Sequence, residues 1–440
     1  MAESARELLT SLTTTFAELP GDVGVSAVDG PIGWHGYGDA RTAAADRTGE
    51  RESVVCGVGT VGDTEAVLIA FEFGFLGGSI GESTGRRIES AFQHARSSRL
   101  PVVSLIATGG SRMQEGMRAL VQLQRLARAS ALTRKAGLPQ IAVLCGPTTG
   151  GGWATLGAGA DVVLALPERQ VGFAGSRVRP PGDPHAYTVE AHVEAGQIDQ
   201  VVERSRLQES LERWLRLLTT PAAHAPPPPR ALGADLSLPE TGWTAVTRAR
   251  DANRPRAGAY VDDYFDWREE IRGDRCGGTD DGVECGFGWR ADGCVAYAAQ
   301  KGTATRPAGF RTAARLVRLA DRLGIPVLTL VDTPGAANDG DAERSAVGPA
   351  ISELFEALAS MQVPVTTLLI GEGGSGGALA FAAADRLWVT SDSYFSVTSP
   401  EAAASILKRP DDAIPTTADQ LRLRPQDLVE LGVAKGIVGR

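Results

Sequence analysis

The chain has 440 residues, of which 43% are hydrophobic and 22% are charged, and its formal net charge is −9. This length accommodates two domains with separate cores. The acidic balance excludes nucleic acid as the main partner, because phosphate binding needs a basic face, and no apolar run reaches the roughly 20 residues of a membrane span. The N-terminus lacks the apolar stretch of a secretory signal and the five cysteines are scattered, so we expect a cytoplasmic protein.

The first half of the chain predicts a hairpin followed by alternating helices and strands. The hairpin covers residues 54–73 and turns at Gly62 and Asp63. After it come, in chain order, a helix over 84–98, a strand over 102–110, a helix over 113–136, a strand over 141–152 and a helix over 201–218. Strands that alternate with helices predict a mainly parallel sheet, and therefore an α/β fold.

A proline-rich stretch separates this half from a second copy of the same pattern. We assign residues 1–220 to an N-terminal domain, 221–231 to an extended linker and 232–440 to a C-terminal domain. The second half predicts, in chain order, a hairpin over 283–297 that turns at Asp292 and Gly293, a helix over 310–323, a strand over 327–335, a helix over 342–361 and a strand over 365–377.

Matched residues recur at a constant spacing in the two halves. Four pairs lie 225 residues apart: Pro101 and Pro326, Thr108 and Thr333, Pro139 and Pro364, and Gly146 and Gly371. An ordered series of this kind indicates a tandem duplication. We therefore expect two related pockets in one chain.

Glycines end the strands in both copies. The glycines that we nominate for binding and catalysis are Gly109, Gly110, Gly150 and Gly151 in the first copy, and Gly335, Gly373, Gly374, Gly376 and Gly377 in the second. Glycine lets the backbone approach a ligand and turn into a helix, whose first N–H groups are unpaired. Two adjacent strand ends can aim two N–H groups at one oxygen, which is the geometry of an oxyanion hole. The alternative is that these glycines only allow helices to pack tightly on strands.

Long motifs resemble the carboxyltransferase of bacterial acetyl-CoA carboxylase. The motifs that resemble its β subunit are Phe71-Glu-Phe-Gly-Phe-Leu-Gly-Gly-Ser-Ile-Gly-Glu82, Thr108-Gly-Gly-Ser-Arg-Met-Gln-Glu-Gly116, Pro147-Thr-Thr-Gly-Gly151 and Gly172-Phe-Ala-Gly175. The motifs that resemble its α subunit are Val331-Asp-Thr-Pro-Gly-Ala336, Ile370-Gly-Glu-Gly-Gly-Ser-Gly-Gly-Ala-Leu-Ala380 and Ser399-Pro-Glu-Ala-Ala-Ala-Ser-Ile-Leu407. The resemblance covers most of the chain and implies two tandem crotonase-like lobes, fused β then α.

The resemblance implies that a carboxyl group moves from N1-carboxybiotin to the α-carbon of an acyl-CoA, as from acetyl-CoA to malonyl-CoA. It places the acyl-CoA in the first lobe, with Gly109, Gly110, Gly150 and Gly151. It places biotin in the second lobe, with Gly335, Gly373, Gly374, Gly376 and Gly377. The enolate and the ureido anion each need N–H donors. Arg86 and Arg112 are candidates for contacting the CoA phosphates, although they also fit solvated helix faces.

The expected partners follow from what the sequence lacks. It contains no Met-Lys-Met biotin-attachment site and no ATP-binding module, so carboxybiotin is expected on a separate biotin carboxyl carrier protein, charged by a biotin carboxylase. The family resemblance implies a homodimer or a larger oligomer. No metal is expected, because the family's zinc ribbon needs four cysteines and the first 60 residues contain only Cys56. Cys276, Cys285 and Cys294 also lack the paired spacing of zinc ligands.

Four other functions remain open on the sequence. The same scaffold suits a decarboxylase of malonyl-type thioesters, another crotonase-type hydrolase or isomerase, or a non-catalytic paralogue that binds acyl-CoA. Gly373-x-Ser375-x-Gly377 also matches the nucleophile elbow of serine hydrolases. That mechanism needs a histidine after the serine, and the last histidine in the chain is His224.

Overall fold

The structure is a computed structural model, which describes residues 3–21, 28–233, 236–291, 293–383 and 385–439. Contacts divide the chain into two compact units, Met1–Thr219 and Thr220–Arg440, which we call unit 1 and unit 2. Within unit 2, the stretch predicted as a linker bonds to the rest of the unit: the Ala222 N–H donates to the Cys294 carbonyl oxygen at 2.9 Å, and the Thr366 hydroxyl donates to the Pro226 carbonyl oxygen at 2.6 Å.

Unit 1 is built on one mixed sheet. Its described strands are β1 (Thr15–Glu18), β2 (Val54–Val61), β3 (Thr64–Phe71), β4 (Val102–Thr108), β5 (Gln140–Thr149), β6 (Val162–Ala165), β7 (Val171–Gly172) and β8 (Gln200–Val201). The order across the sheet is β1-β2-β3-β4-β5-β6-β8, and β7 pairs with the end of β5. β1, β2 and β3 are antiparallel, whereas the later pairs are parallel.

The helices of unit 1 cover and connect these strands. They are α1 (Ala5–Leu12), α2 (Tyr37–Thr48), α3 (Glu82–Ser98), α4 (Met117–Leu120), α5 (Gln122–Lys135), α6 (Gly150–Gly152), α7 (Val189–Glu194) and α8 (Leu207–Thr219). α3 buries Ile88, Phe92 and Ala95, which recur at helical spacing and so share one face of the helix. β4 is buried along its whole length, as expected for a parallel strand at the centre of a sheet.

Unit 2 repeats the architecture. Its described strands are β9 (Trp267–Ile271), β10 (Val283–Arg290), β11 (Gly293–Gln300), β12 (Val327–Thr333), β13 (Val365–Gly374), β14 (Leu387–Val389), β15 (Tyr394–Ser396) and β16 (Gly436–Ile437). The sheet order is β16-β14-β13-β12-β11-β10-β9, with β15 on the end of β13. The described helices are α9 (Gly242–Ala249), α10 (Ala257–Tyr264), α11 (Pro307–Leu323), α12 (Gly340–Arg344), α13 (Val347–Ser360), α14 (Ser375–Leu379), α15 (Pro400–Ile406), α16 (Ile414–Gln420) and α17 (Pro425–Glu430).

The predicted α/β class is confirmed, and several predicted elements are shorter than expected. The predicted helix over 113–136 is broken at Gly116, whose φ of +56° is left-handed. The predicted helix over 342–361 is broken at Ala346, with a φ of +61°. The predicted strands over 141–152 and 365–377 end at Thr149 and Gly374, and the last glycines of each begin a helix instead. Asp292, in the second predicted hairpin turn, lies outside the described residues.

None of the helices in the described parts of the chain is long and apolar enough to cross a membrane.

Candidate functional site

In unit 1, the ends of β4 and β5 meet where the sequence placed the first glycine clusters. The register shifts at the end of β4, so that Thr108 lies opposite Thr148. Gly110 follows with a φ of +96°, and its N–H donates to Thr108 Oγ1 at 3.1 Å. A Cβ on Gly110 would lie 3.7 Å from Gly150 Cα and 3.9 Å from Gly151 N. The loop after β4 therefore lies against the start of α6.

The N–H groups of the nominated glycines in unit 1 are not equally available. The Gly109 N–H donates to the Gly77 carbonyl oxygen at 2.9 Å, and the Gly150 N–H donates to the Phe173 carbonyl oxygen at 3.0 Å. The N–H groups of Gly151 and Ser111 have no hydrogen-bond partner among the residues that the structure describes. Ser111 is not among the donors predicted from the sequence. A sequence shows where the glycines lie, but not which backbone N–H groups already donate to carbonyl oxygens of neighbouring loops.

Unit 2 reproduces this arrangement. The Gly335 N–H donates to Thr333 Oγ1 at 3.1 Å, and the Gly335 carbonyl oxygen accepts from the Thr305 N–H at 3.0 Å. Within the described ranges, the N–H groups of Ala336 and Gly376 have no hydrogen-bond partner. Ala336 therefore corresponds to Ser111, and Gly376 corresponds to Gly151. Each unit brings one strand-end loop and one short helix together, and each pairing leaves at least two backbone N–H groups without a partner among the described residues.

Other nominated glycines have a packing role. A Cβ on Gly377 would lie 2.3 Å from Ala336 N, and one on Gly374 would lie 1.9 Å from the Pro334 carbonyl oxygen. A Cβ on Gly373 would meet the Phe395 ring at 2.5 Å. These contacts explain why glycine is needed at all three positions without a ligand. Gly376 differs, because a Cβ there would meet nothing within 4 Å.

A cavity of about 430 Å³ opens beside Gly376 in unit 2. Its lining is mainly apolar: Ser375, Gly376, Leu379, Phe395, Ser396, Val397, Leu421, Arg422, Leu428, Leu431 and Val433. Mainly apolar walls with a few convergent polar groups are typical of sites for small molecules. The cavity therefore has the kind of lining that a small-molecule site has, with Gly376 among its walls.

Ser375 does not have the surroundings of a hydrolase nucleophile. Its φ of +54° is matched by +60° at Gly150, which occupies the same place in unit 1. The strained turn therefore belongs to the duplicated architecture. Among the described residues, no histidine forms a hydrogen bond with Ser375. The same residues contain no group of three or more His, Cys, Asp or Glu side chains that could hold a metal ion.

The geometry contradicts the predicted contact of Arg112 with CoA phosphates. The Arg112 side chain is 0% exposed. Its guanidinium donates to Glu52 at 2.5 Å, to the Tyr37 hydroxyl at 3.1 Å and to the Ser79 carbonyl oxygen at 2.8 Å. Burial tends to lower the pKa of Arg112, but Glu52 outweighs it and the pKa is raised. The Arg112 side chain therefore has a structural role in the interior. The other candidate, Arg86, is partly exposed, and its guanidinium lies 3.2 Å from the Glu82 carboxylate.

Two known families match the two halves of the chain. The family described as "Carboxyl transferase domain" matches residues 32–226, and the family described as "Acetyl co-enzyme A carboxylase carboxyltransferase-like" matches residues 237–440. Together these matches cover both glycine-rich strand-end sites.

Curated relatives match along nearly the whole chain. The acetyl-coenzyme A carboxylase carboxyl transferase subunits beta/alpha of Saccharopolyspora erythraea are 36% identical over 438 residues, covering 93% of this chain and 76% of the relative. The same protein of Salinispora arenicola is 38% identical over 434 residues, covering 91% and 76%. A probable biotin-dependent acyl-coenzyme A carboxylase beta3 subunit of Mycobacterium bovis is 31% identical over 413 residues, covering 91% and 83%.

Solved structures share the fold. The transcarboxylase 12S hexamer with hydrolysed methylmalonyl-coenzyme A matches with a TM-score of 0.80 at 20% identity, covering 99% of this chain and 86% of that one. A single-chain, multi-domain long-chain acyl-CoA carboxylase matches with a TM-score of 0.77 at 18% identity, covering 99% and 44%. The predicted pair of crotonase-like lobes is thereby confirmed. The matches do not support the decarboxylase alternative.

Proposed function

Because the chain belongs to the carboxyltransferases of biotin-dependent acyl-CoA carboxylases, we propose that unit 1 binds the acyl-CoA and unit 2 binds carboxybiotin. The observation that carries this proposal is the pair of matched donor sites, one in each unit. In each site, at least two backbone N–H groups have no partner among the described residues. A reaction with two oxyanions needs two such sites.

In the proposed reaction, the chain's own atoms stabilise charge and leave proton transfer to the substrates. Carboxybiotin supplies the CO2 and, once that has left, the base that removes the α-proton. The N–H groups of Gly151 and Ser111 donate to the thioester oxygen, which becomes the enolate oxygen. The N–H groups of Gly376 and Ala336 donate to the ureido oxygen. The enolate carbon then forms the new bond to CO2, so no side-chain base is required.

We propose acetyl-CoA, giving malonyl-CoA, as the substrate, with a related short acyl-CoA as the alternative. Support for acetyl-CoA comes from the names of the relatives in Saccharopolyspora and Salinispora. Support for a different acyl group comes from the Mycobacterium relative, which is named for acyl-CoA. Arg86 of unit 1 is proposed to contact a CoA phosphate, because its guanidinium is partly exposed on α3.

We propose that carboxybiotin arrives on a biotin carboxyl carrier protein charged by a biotin carboxylase, and that the chain acts as a homodimer or a larger oligomer. The hexameric transcarboxylase with a similar fold supports the oligomer. Light scattering of the purified chain tests it. A monomer that retains full activity would contradict the proposed assembly.

The reaction itself is tested in the reverse direction with free biotin. The purified chain is incubated with malonyl-CoA or methylmalonyl-CoA, with and without biotin, and the CoA products are followed by mass spectrometry. We expect loss of the carboxyl group from the thioester only when biotin is present. Equal turnover without biotin would contradict the proposal and indicate a different crotonase-type reaction.

A further inference from the structure

Gln300, the last residue of β11, connects the two elements that form the donor site of unit 2. It is fully buried, and its Nε2 donates to the Gly377 carbonyl oxygen and to Thr305 Oγ1, each at 3.1 Å. The Thr305 N–H donates in turn to the Gly335 carbonyl oxygen at 3.0 Å. One amide group therefore links α14, which carries Gly376, to the loop that carries Ala336.

The bond to Gly377 has a specific structural cause. α14 ends at Leu379, and the Phe381 N–H donates to the Ala378 carbonyl oxygen and not to that of Gly377. The Gly377 carbonyl oxygen is therefore left out of the helical hydrogen-bond pattern, and Gly377 is itself buried. Gln300 supplies the donor that this oxygen needs, since an unpaired buried carbonyl is destabilising.

Unit 1 has no equivalent polar connection at the same positions. Within the two hairpins, Phe71 pairs with Val54 as Gln300 pairs with Val283, so Phe71 is the counterpart of Gln300. Ile80 bridges to Ser111 as Thr305 bridges to Ala336, so Ile80 is the counterpart of Thr305.

Both unit 1 residues are buried and apolar, so the duplicated sites differ by a buried polar pair. The two donor sites therefore share the same backbone arrangement. They differ in the side chains that connect the short helix to the strand-end loop, which are polar in unit 2 and apolar in unit 1.

The amide of Gln300 is not explained by stability alone. Its Oε1 is buried and has no hydrogen-bond partner among the described residues. Leaving such an atom unpaired opposes folding, and an apolar side chain occupies this position in unit 1. Gln300 therefore differs from its counterpart Phe71 in presenting N–H donors, which bind the Gly377 carbonyl oxygen in α14 and the Thr305 hydroxyl.

We infer that Gln300 is a positioning residue, which fixes the separation of the Ala336 and Gly376 N–H groups for the ureido oxygen of biotin. The inference rests on the proposed assignment of biotin to unit 2. Without the amide, α14 loses its connection through Thr305 to the loop after β12, and the separation of the two N–H groups is no longer fixed. Misplacement of such groups by about 1 Å lowers turnover on the order of 100-fold.

The test compares Gln300→Met with Gln140→Met. Gln140 is a matched control, because it is also a buried strand residue whose Nε2 donates to a backbone carbonyl oxygen, that of Ser130 at 3.0 Å. Steady-state rates with malonyl-CoA and free biotin, and the Kd for malonyl-CoA, are measured for both. For Gln300→Met we expect kcat with biotin to fall about 100-fold while the Kd for malonyl-CoA stays unchanged. For Gln140→Met we expect both values to stay near those of the wild type.

A second measurement does not depend on activity. Amide hydrogen exchange should become faster at residues 335–337 and 375–381 in Gln300→Met, and should stay unchanged there in Gln140→Met. Thr305→Val, which removes the acceptor hydroxyl, should lose more biotin-dependent turnover than Thr305→Ser, which keeps it.

Three outcomes separate the inference from the proposed function. If exchange at 335–337 and 375–381 is the same in Gln300→Met as in the wild type, the positioning role is wrong. If exchange increases but malonyl-CoA binding is lost in place of biotin turnover, the assignment of biotin to unit 2 is wrong. Faster exchange together with the selective loss of biotin turnover supports both.

Discussion

Thr108 and Thr333 occupy the same structural position 225 residues apart, and each Oγ1 accepts the N–H of the glycine two residues later at 3.1 Å. The glycines, Gly110 and Gly335, have φ angles of +96° and +143°, respectively. The side-chain hydrogen bond therefore holds a left-handed turn in both units. The next amide in each turn, that of Ser111 or Ala336, is one of the two proposed donors. The duplication has thus preserved the turn that aims the donor, as well as the glycines.

Removing the hydroxyl of Thr108 should impair the step at the acyl-CoA site of unit 1, and removing that of Thr333 should impair the step at the biotin site of unit 2. Thr108→Val and Thr333→Val keep the shape of the side chain but remove the acceptor, so the following amide is less firmly oriented. We expect about a 10-fold to 100-fold fall in turnover in each variant, in line with 1–3 kcal/mol for a lost buried hydrogen bond. Isothermal titration should show weaker malonyl-CoA binding only in Thr108→Val.

Thr329→Val serves as the control for these substitutions. Thr329 lies earlier in β12, is buried and shares a 2.7 Å hydrogen bond with Thr367, away from the strand ends. It should lower the melting temperature without a comparable fall in turnover. Equal turnover in Thr333→Val and Thr329→Val would show that the strand-end hydroxyl has only a structural role.

The neighbouring glycines Gly376 and Gly377 should respond differently to the same substitution. Gly376→Ala adds a methyl group that meets no atom within 4 Å, although Gly376 lines the cavity of unit 2. We expect an unchanged melting temperature and a raised KM for biotin. Gly377→Ala would place its Cβ 2.3 Å from Ala336 N, so it should lower the melting temperature as well. Thermal unfolding that ranks the two variants in the opposite order would contradict this geometry.

In unit 1, a compensating substitution separates packing from function. A Cβ on Gly151 would lie 2.3 Å from the Leu123 methyl groups, so Gly151→Ala alone should both destabilise the unit and reduce turnover. Adding Leu123→Ala makes room for the new methyl group. We expect the double variant to regain part of the lost melting temperature but not the turnover, because the methyl group remains beside a proposed donor. Full recovery of turnover would reduce Gly151 to a packing residue.

The sequence predicted the repeated strands and the location of both sites because these depend on local patterns. Alternating apolar strands and helices, together with glycines at strand ends, follow from periodicity and from backbone freedom. The constant spacing that pairs Thr108 with Thr333 also placed the two sites at equivalent strand ends. The breaks at Gly116 and Ala346 were not predicted, because each depends on one left-handed residue within an otherwise helical pattern.

The choice among donors could not be read from the sequence. Gly109 looks equivalent to Gly151, yet the Gly77 carbonyl oxygen occupies its N–H. Arg112 looked like a surface cation, but Glu52, which lies 60 residues earlier in the chain, binds it in the interior. Both facts depend on contacts between distant segments, for which local pattern gives no signal.

The proposed role of Arg86 is tested by a pair of surface variants. Arg86→Gln removes a partly exposed charge, and we expect it to raise the KM for the acyl-CoA about 3-fold to 10-fold through a lost contact with phosphate. Arg128→Gln, on the exposed part of α5, removes the same charge and should leave that KM unchanged. Equal effects of the two variants would indicate general electrostatics, and no effect of either would refute the contact.

The buried pair of Arg112 and Glu52 predicts a stability loss that depends on pH. Burial tends to raise the pKa of Glu52, but Arg112 outweighs it and holds the pKa below its usual range. The ionised Glu52 therefore makes its full contribution to the free energy of unfolding above the usual glutamate pKa of about 4.3. This contribution is lost as the pH falls through the lowered pKa of Glu52 in the folded protein. Arg112→Met leaves Glu52 buried without its cation, and should destabilise the protein by about 3–5 kcal/mol at pH 7.

Denaturant unfolding of the wild type, Arg112→Met and the double variant Arg112→Met with Glu52→Gln tests this prediction. At pH 7 the double variant should be more stable than the single variant, since it no longer buries an unpaired charge. Below about pH 4 the two should converge, because Glu52 is then protonated in Arg112→Met. A gap between the single and double variants that stays constant from pH 7 to pH 4 would show that the charge of Glu52 does not cause the instability of Arg112→Met.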